Sequence, residues 1–435
     1  MKRPKLAAVV LFLCCLLTYL MFIKHHFSTS KPGTPRPPPH LRPSPDRRRY
    51  QYGIMFDAGS TGTRVHIFKF LVGDTGDPQE LDTETFRAIK PGLSSYRDAP
   101  HKCAAGILEL LDVAKSSIPP SFWTRTPVVL KATAGLRLLP GQKAEQLLDT
   151  VRTLFQESPF LSREDSVSIM DGTDEGISAW ITVNFLTGGL RGANSPTVGM
   201  LDLGGGSTQI TFSPQDEITI QTSPIDDIRS FQMFNNTHTV YTHSYLGLGL
   251  MSARLAILGG VEAPPLGGST ELPVSPCLAP EYSGSWEHAD VIYTVKGQKA
   301  GEPLYEACLT KVEKVVSRKV LKAWEVADMD FYAFSYYYDR AVDLGAIEDP
   351  AGGTISVSDY MQAANRVCSN PPQNQDEDQN QNPFLCLDLV YISVLLQELG
   401  FPPHKQFKLA RKIHRVETSW ALGATFHYME SLKGP

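Results

Sequence analysis

Positive charge is scarce over most of this 435-residue chain, and its scarcity excludes one large class of proteins. Residues 50–435 contain 31 Lys and Arg against 45 Asp and Glu, a net charge of −14. A protein that binds nucleic acid through its phosphate backbone needs the opposite balance, so we expect no nucleic acid partner. Compositional bias is also absent. With 42% hydrophobic and 20% charged residues, the chain is not typical of disordered, collagen-like or coiled-coil proteins.

A single apolar run near the N-terminus is long enough to cross a membrane. It extends from Leu6 to Ile23 and is interrupted only by Thr18. No small-residue cleavage site of the A-x-A type lies near its end, which favours an uncleaved anchor over a cleaved signal peptide. Basic residues 2, 3 and 5 place the N-terminus in the cytoplasm. We therefore expect a single-pass type II membrane protein with residues 24–435 on the lumenal or extracellular side.

The segment that follows has the composition of a spacer. Seven prolines lie between Pro32 and Pro45, and residues 27–49 show no apolar period. Such a segment forms a semi-rigid stalk and not a domain. Residues 1–49 are thus interpreted as a cytoplasmic tip, a signal-anchor helix (6–23) and a stalk. Whether the arginines 47–49 are cut to release a soluble secreted form stays open.

Cysteine is also sparse, with only five residues beyond the predicted anchor. An odd number allows at most two disulfides, and lumenal placement permits them. The nearest pairings are Cys277 with Cys308 and Cys368 with Cys386, which leaves Cys103 as a small buried hydrophobe. The triplet beginning at Asn235 is a sequon, which would be glycosylated in the lumen.

Two segments share a strand, turn, strand pattern. In the first, the apolar segment 53–57 leads through Ala-Gly-Ser-Thr-Gly-Thr into the alternating segment 64–70. About 145 residues later, 199–202 leads through Leu-Gly-Gly-Gly-Ser into 208–212. The repetition predicts an internal duplication with one Asp-x-Gly hairpin in each half.

Helical periodicity fills the intervals between these hairpins and beyond them. It predicts helices over 103–115, 141–157, 176–186, 304–323, 358–367, 388–399 and 417–431, and a buried strand at 128–130. Strands that alternate with helices in this way indicate an α/β fold with largely buried sheets.

The two loops contain the residue types that phosphate chemistry needs. Small residues allow backbone N–H groups to point inward around an anion, and a carboxylate at a strand end can hold a hydrated cation. Two facing loops of this kind could hold one polyphosphate. The alternative is a pair of ordinary glycine-containing β-turns, which explains one loop more easily than both.

Five segments resemble the apyrase conserved regions in their usual order. They are Asp57–Arg64, Lys131–Arg137, Asp171–Trp180, Asp202–Gln209 and Ser419–Gly423. The chain therefore resembles the ectonucleoside triphosphate diphosphohydrolase family from about residue 52 to its C-terminus. The likeness is strongest to the intracellular and secreted nucleoside-diphosphatase branch of that family.

This resemblance implies the fold of the actin, Hsp70 and hexokinase group, with two RNase-H-like domains and a central nucleotide cleft. The domains implied are 50–171 plus 415–435, and 172–414. The implied activity is hydrolysis of the terminal phosphate of GDP, IDP or UDP in the Golgi and secretory lumen, with Mg²⁺ or Ca²⁺ as cofactor.

The resemblance also assigns residues to roles. Glu175 matches the catalytic base, although without the motif a first-turn Glu favoured by the helix dipole would be the simpler interpretation. Asp174 is its rival, expected to be exposed or a cap. Ser207 and Gln209 match residues that position the attacking water. The phosphates would be held by the two loops, through Gly59, Ser60, Thr61, Gly62, Gly204, Gly205 and Gly206.

The resemblance also implies contacts with the metal and with the base. Asp57 and Asp202 match the pair that holds the divalent ion through water, with Thr133 and Trp420 as additional outer contacts. The aromatic run 331–338 resembles the segment that supplies a base-stacking tyrosine, and Tyr338 is our choice within it. A β-strand with tyrosines on both faces is the alternative. Phe384 is a candidate for the other face of the base.

One position departs from the pattern of the triphosphate-cleaving branch, which carries a histidine where Gly62 stands. Glycine supplies a backbone donor and no side chain, so a γ-phosphate would lose a contact and diphosphates would be favoured.

Other functions remain open from the sequence alone. Another phosphohydrolase or phosphotransferase of the same fold is one, for example an exopolyphosphatase or a triphosphate-cleaving apyrase. A non-catalytic nucleotide-binding protein is another, but it would leave the intact acidic and glycine positions unexplained. The preferred diphosphate, the cation used in the cell and the oligomeric state are not predicted.

Overall fold

The computed structural model describes residues 49–73, 78–192, 195–261, 270–289, 291–299, 304–370 and 382–432. The predicted anchor (6–23) and stalk lie outside these residues. Within the described ranges, no helix is both long enough and apolar enough to cross a membrane. Residues 50–435 form one compact unit.

The first sheet is formed by the segment that contains the first hairpin. Its strands are β1 (Arg49–Ala58), β2 (Thr63–Val72), β3 (Pro78–Ile89), β4 (Val128–Ala132) and β5 (Val167–Ile169), in the order β3-β2-β1-β4-β5. Strand β4 runs parallel to both β1 and β5, whereas β2 and β3 are antiparallel. The central strands are covered on both faces, which explains their continuous apolar sequences.

Three helices accompany this sheet: α1 (Ala104–Ser117), the short α2 (Ala134–Arg137) and α3 (Gly141–Glu157). Helix α3 buries Ala144, Leu147, Leu148, Val151 and Phe155, which recur at helical spacing and pack with side chains of β1 and β4. The helices predicted at 103–115 and 141–157 are therefore confirmed.

One helix lies in the chain between the first sheet and the second. The helix is α4 (Gly172–Thr187), which begins before the predicted residue 176. The second half has strands β6 (Gly199–Leu203), β7 (Ser207–Phe212), β8 (Ile228–Met233), β9 (Asn236–Leu246), β10 (Ser283–His288), β11 (Val291–Lys296), β12 (Phe331–Ser335), β13 (Gly353–Ser356), β14 (Gln406–Leu409), β15 (Lys412–Ile413) and β16 (Val416–Glu417). Seven of them form the second sheet, in the order β13-β14-β12-β6-β7-β9-β8.

Of the seven remaining α-helices in the described residues, four match predicted positions, and three, at 217–222, 250–258 and 336–343, were not predicted. The seven helices are α5 (Glu217–Thr222), α6 (Leu250–Leu258), α7 (Leu304–Val316), α8 (Tyr336–Asp343), α9 (Val357–Ser369), α10 (Leu385–Glu398) and α11 (Ala421–Ser431). Helix α7 ends at Val316 and not at 323, because Arg318 takes a positive φ of 69°. Helix α11 begins at 421 and not at 417, because residues 416–417 pair in strand β16. The aromatic run 331–338 is not one strand, since its last three residues begin α8.

Helices α4 and α11 join the two halves. Helix α4 packs against β7 and β9 of the second sheet, α11 packs against β2 of the first, and the two helices contact each other. Their crossing is close: a Cβ atom on Gly423 would lie 2.0 Å from the carbonyl oxygen of Ser178. Only glycine permits this approach, which places the start of α4 between the two sheets.

Both predicted disulfides are present, Cys277–Cys308 and Cys368–Cys386. The second joins α9 to α10. Cys103 is free and buried, as expected.

Candidate active site

A cleft of about 800 Å³ lies between the two sheets. This volume suits a small-molecule ligand. Most of the predicted site residues line it, namely Asp57, Gly59, Ser60, Thr61, Gly62, Thr133, Glu175, Asp202, Gly204, Gly205, Gly206, Ser207, Tyr338 and Trp420. The structure thus brings both Asp-x-Gly hairpins to one place, as the sequence predicts.

The two hairpin loops have the same backbone design. The N–H of Gly59 donates to the carbonyl of Gly62, and the N–H of Gly204 donates to the carbonyl of Ser207, both at 3.0 Å. Among the described residues, nothing accepts a hydrogen bond from the N–H groups of residues 60, 61, 205 and 206. Adjacent free N–H groups in a cleft form an anion-binding nest on each loop.

The loops approach each other closely at Gly205. A Cβ atom on Gly205 would lie 2.4 Å from the Oγ atom of Ser60 in the opposite loop. The missing side chain therefore allows the second nest to face the first across a short gap.

Asp57 and Asp202 occupy equivalent places near the ends of β1 and β6, and each is 6% exposed. The Asp57 Oδ2 atom accepts a hydrogen bond from Arg64 at 3.0 Å. The Oδ1 atom of each carboxylate is buried without a protein partner among the described residues. Buried carboxylate oxygens are costly unless something neutralises them, so this pair fits a hydrated divalent cation.

The electrostatics of this pair agree with that fit. Burial raises the pKa of Asp202 to about 6, and the nearby charge of Asp57 adds to the rise, while Ser335 and Arg64 oppose it. Within the described ranges, no three His, Cys, Asp or Glu side chains come together as direct metal ligands. Mg²⁺ or Ca²⁺ would be held through water, the arrangement that the family resemblance implies.

Glu175 lies in the first turn of α4 and is 6% exposed. Its Oε2 atom accepts hydrogen bonds from Arg137 at 2.5 Å and from Gln209 at 3.1 Å. No described residue donates to Oε1, so this oxygen is available to a ligand or water. Burial raises the pKa of Glu175 to about 8; the positive charge of Arg137 opposes the shift, and the charges of Asp202 and Asp57 add to it.

Ser207 is held between the same two donors. Its Oγ atom accepts from Arg137 at 3.1 Å and from Gln209 at 2.8 Å. Because both contacts supply a proton to the oxygen, the Ser207 hydroxyl keeps its own proton for a further acceptor. Glu175, Ser207 and Gln209 thus form one connected group, with Arg137 as a fourth member.

Thr133 and Trp420 both line the cleft and are both buried. Thr133 lies between β4 and α2, and Trp420 immediately precedes α11. Trp420 also packs in the core between α4 and α11, so it has a structural role whatever it does in the cleft. Asp174 is exposed, as expected, and the cap of α4 is Asp171, which accepts from the N–H of Thr173.

The two residues proposed for base stacking differ in their placement, since Tyr338 lines the cleft and Phe384 does not. The Tyr338 side chain is 2% exposed, and its hydroxyl donates to Asp349 at 2.9 Å. Phe384 packs against Trp286, with the Arg254 guanidinium 4.2 Å from its ring, and does not line the cleft. Half-buried Tyr336 is the more accessible tyrosine in the cleft wall.

Sequence reasoning assigned no role to four residues that contact the site. Arg64 and Arg137 end two of the recognised motifs, so their position in those motifs was the available signal. Tyr336 and Ser335 lie inside an aromatic run in which the change from strand to helix was not recognisable.

Comparison with solved structures identifies the fold class. The chain superimposes on the nucleoside triphosphate hydrolases from Neospora caninum with a TM-score of 0.62 and 16% identity, covering 88% of this chain and 93% of that one. An exopolyphosphatase-like protein gives a TM-score of 0.50 at 13% identity over 88% of this chain and 99% of its own. These similarities define an α/β fold and not a reaction.

Sequence comparison identifies the family. Residues 44–434 match the GDA1/CD39 (nucleoside phosphatase) family, to which the chain therefore belongs. Ectonucleoside triphosphate diphosphohydrolase 6 from Mus musculus is 58% identical over 88% of this chain and 82% of that protein. Nucleoside diphosphate phosphatase ENTPD5 from Homo sapiens is 50% identical over 88% of each chain.

Proposed function

We propose that this protein hydrolyses the terminal phosphate of nucleoside diphosphates of the GDP, IDP and UDP type, releasing a nucleoside monophosphate and inorganic phosphate. The observation that carries the proposal is the position of Glu175. Its free Oε1 atom lies in the same cleft as two facing amide nests and two carboxylates with unpaired buried oxygens. The names of the similar proteins agree with this activity.

The chain's own residues divide the work between binding and proton transfer. The nests at residues 59–62 and 204–206 bind the phosphate oxygens, and Asp57 and Asp202 hold the hydrated cation, with Thr133 and Trp420 beside them. When bound, Mg²⁺ or Ca²⁺ would offset negative charge on the phosphate oxygens. Little covalent chemistry is left to the protein, because phosphoryl transfer depends mainly on positioning and charge stabilisation.

Glu175 takes the proton of the attacking water. Its raised pKa brings the carboxylate closer to the proton affinity that a base needs near neutral pH. Arg137 and Gln209 hold its Oε2 atom, which directs Oε1 toward the water. The Ser207 hydroxyl, with its proton free, holds the water for in-line attack on the terminal phosphorus.

Diphosphates are preferred because the first nest ends at Gly62. This residue offers a γ-phosphate no side-chain donor, and each missing charge-assisted hydrogen bond costs about 1.5–3 kcal/mol. Space around Gly62 is also limited, since a Cβ atom there would lie 3.0 Å from the carbonyl oxygen of Ile89.

The domain boundaries that we propose are 50–171 plus 415–435 and 172–414, each RNase-H-like. The packing of α4 on the second sheet and of α11 on the first supports this division. It assigns the helix that carries Glu175 to the domain that carries Asp202, so cleft opening would move both residues together relative to Asp57.

We place the enzyme in the Golgi and secretory lumen, anchored through residues 6–23 as a type II membrane protein. The two disulfides and the exposed position of Asn235 in the turn between β8 and β9 support a lumenal environment. Sensitivity of the protein to endoglycosidase, together with protection from protease in sealed microsomes, is expected. Digestion of residues 50–435 by protease added outside the microsomes would contradict the placement.

Phosphate release tests the activity itself. The purified protein is incubated with GDP, IDP, UDP, ADP, CDP, ATP and inorganic polyphosphate, with Mg²⁺, Ca²⁺ or EDTA. We expect release from the first three that is abolished by EDTA. Release from polyphosphate alone would identify an exopolyphosphatase, and nucleotide binding without release would identify a non-catalytic protein.

A further inference from the structure

One carboxylate in the cleft wall has no protein partner. Asp339 lines the cleft and is exposed, and among the described residues it makes no hydrogen bond or ion pair. Its acidic neighbours are engaged: Asp343 pairs with Arg340 at 3.2 Å, and Asp349 accepts the Tyr338 hydroxyl. Asp339 is therefore an acceptor that remains available to a ligand.

Its place on helix α8 relates it to the phosphate-binding end of the cleft. The helix begins directly after Ser335, whose hydroxyl forms a hydrogen bond with Asp202. Asp339 is the fourth residue of this helix and so lies about one turn from its start. It lines the same cleft as Ser335, Tyr336 and Asp202.

The surroundings of Asp339 match a flat polar ligand. Tyr336 contributes an aromatic ring to the same wall of the cleft. Arg340 is occupied by Asp388 and Asp343 and cannot neutralise Asp339 fully. Desolvation by the cleft wall raises the pKa of Asp339, while the positive charges of Arg340 and Arg411 oppose the rise.

We propose that Asp339 recognises the nucleobase by accepting hydrogen bonds from its imide edge. Guanine offers two donors to one carboxylate, N1–H and the 2-amino group, whereas hypoxanthine and uracil offer one N–H. Adenine and cytosine present an unprotonated ring nitrogen at the corresponding edge, which a carboxylate repels. The inference rests on the proposed nucleotide cleft and adds an order of preference: GDP first, then IDP and UDP, then ADP and CDP.

Replacing Asp339 by Asn tests this assignment, because one acceptor oxygen is replaced by an NH₂ donor. An amide at this position can accept from N1–H and donate to the 2-oxo group of xanthine, but it cannot accept both guanine donors. We expect Asp339→Asn to lower kcat/KM for GDP by about 10- to 100-fold. The same variant should gain at least about tenfold on xanthosine diphosphate and change little on ADP.

Asp343→Asn is the matched control, because it removes an equal charge from the same helix. Its ratio of GDP to xanthosine diphosphate efficiency should equal that of the unmodified protein. Calorimetric binding of GMP and XMP to both variants provides a readout that does not depend on hydrolysis. Asp339→Asn should bind XMP more tightly and GMP more weakly than the unmodified protein, while its thermal unfolding remains a single transition.

Two results would overturn the assignment. An equal loss for every nucleoside diphosphate would mean that Asp339 contacts the ribose or supports the fold. Unchanged selectivity in Asp339→Asn would mean that the base lies elsewhere. If the unmodified protein binds GMP but releases no phosphate from any diphosphate, the proposed function is wrong. The calorimetric comparison of GMP and XMP then still decides whether Asp339 recognises the base.

Discussion

The two ends of the cleft are formed by different parts of the polypeptide. At the phosphate end, backbone N–H groups of two strand-to-strand turns face inward, and the two carboxylates lie near the ends of the preceding strands. At the other end, helix α8 presents Asp339, while Tyr336 at the start of the helix interacts with Thr61 of the first nest. Binding at the phosphate end depends on residues that cannot be replaced without moving the backbone. Binding at the α8 end depends on side chains that can be replaced without moving it. The difference predicts that substitutions at the phosphate end affect turnover, and those at the α8 end affect substrate choice.

The largest expected effect is at Glu175. Glu175→Gln keeps the size and one hydrogen-bond acceptor but cannot take a proton, so kcat should fall by roughly 10²–10⁴-fold. Binding of GMP should change much less. Steady-state phosphate release and calorimetry measure the two quantities.

Asp174→Asn is the matched control, because Asp174 is adjacent, acidic and exposed. It should retain nearly normal turnover. If both variants lost activity to the same extent, the proton would not be taken by Glu175.

A backbone substitution tests the facing nests. Gly205→Ala adds a methyl group that would lie 2.4 Å from Ser60 Oγ, so the Ser60 side chain or its loop must shift. A displacement of this size is expected to lower kcat/KM for GDP about 10²-fold. Gly141→Ala, where nothing lies within 4 Å of the added atom, should have no effect. Equal activity in the two variants would show that the nests do not act together.

Arg137 connects the two halves of the phosphate end and should govern its pH dependence. The rate should rise with pH as Glu175 loses its proton. Because Arg137 favours the charged carboxylate, Arg137→Met should move this rise to higher pH and lower the rate at pH 7 about tenfold. Arg137→Lys keeps the charge, so its profile should remain closer to the original. If the pH–rate profile of Arg137→Met is the same as that of the unmodified protein, the ionisation that limits the rate is not that of Glu175.

Gly62 should set the preference for diphosphates over triphosphates. The unmodified protein is expected to favour GDP over ATP by at least about tenfold in kcat/KM, and Gly62→His to narrow the ratio. Gly62→Ala controls for the close contact with Ile89 and should leave the ratio unchanged. A ratio near one in the unmodified protein would make Gly62 irrelevant to selectivity.

The smallest effect is expected at the α8 end. Tyr336→Ala should raise KM for GDP about tenfold, because the stacking of this ring on the base that we propose would be lost. Tyr338→Phe removes only the hydroxyl bound to Asp349 and should leave KM unchanged. A larger KM effect from Tyr338→Phe would give the Tyr338 hydroxyl a role in substrate binding.

The phosphate end was predictable from sequence because its parts are local. Each nest lies within eight residues of its aspartate, and small residues after a buried strand have few other uses. The disulfides were also predictable, because both join cysteines that are neighbours in the sequence. For the nests and for the disulfides, the residue types and their spacing in the sequence indicate the same structure.

The parts of the site that the sequence did not predict depend on contacts between distant segments of the chain. Arg137 and Glu175 are 38 residues apart in sequence and meet only because the strands that precede them, β4 and β5, run parallel. Tyr338 is turned inward because the backbone changes at Ser335, with a positive φ of 58°, from strand to helix. A run of aromatic residues fits both periods equally, so the sequence could not show which tyrosine faces the cleft.

Isotope transfer tests the central claim most directly. The unmodified protein hydrolyses GDP in H₂¹⁸O, and mass spectrometry of the products locates the label. If a water activated by Glu175 attacks the terminal phosphorus, one ¹⁸O atom per turnover appears in inorganic phosphate and none in GMP. Label in GMP would mean attack at the inner phosphorus and would contradict the account.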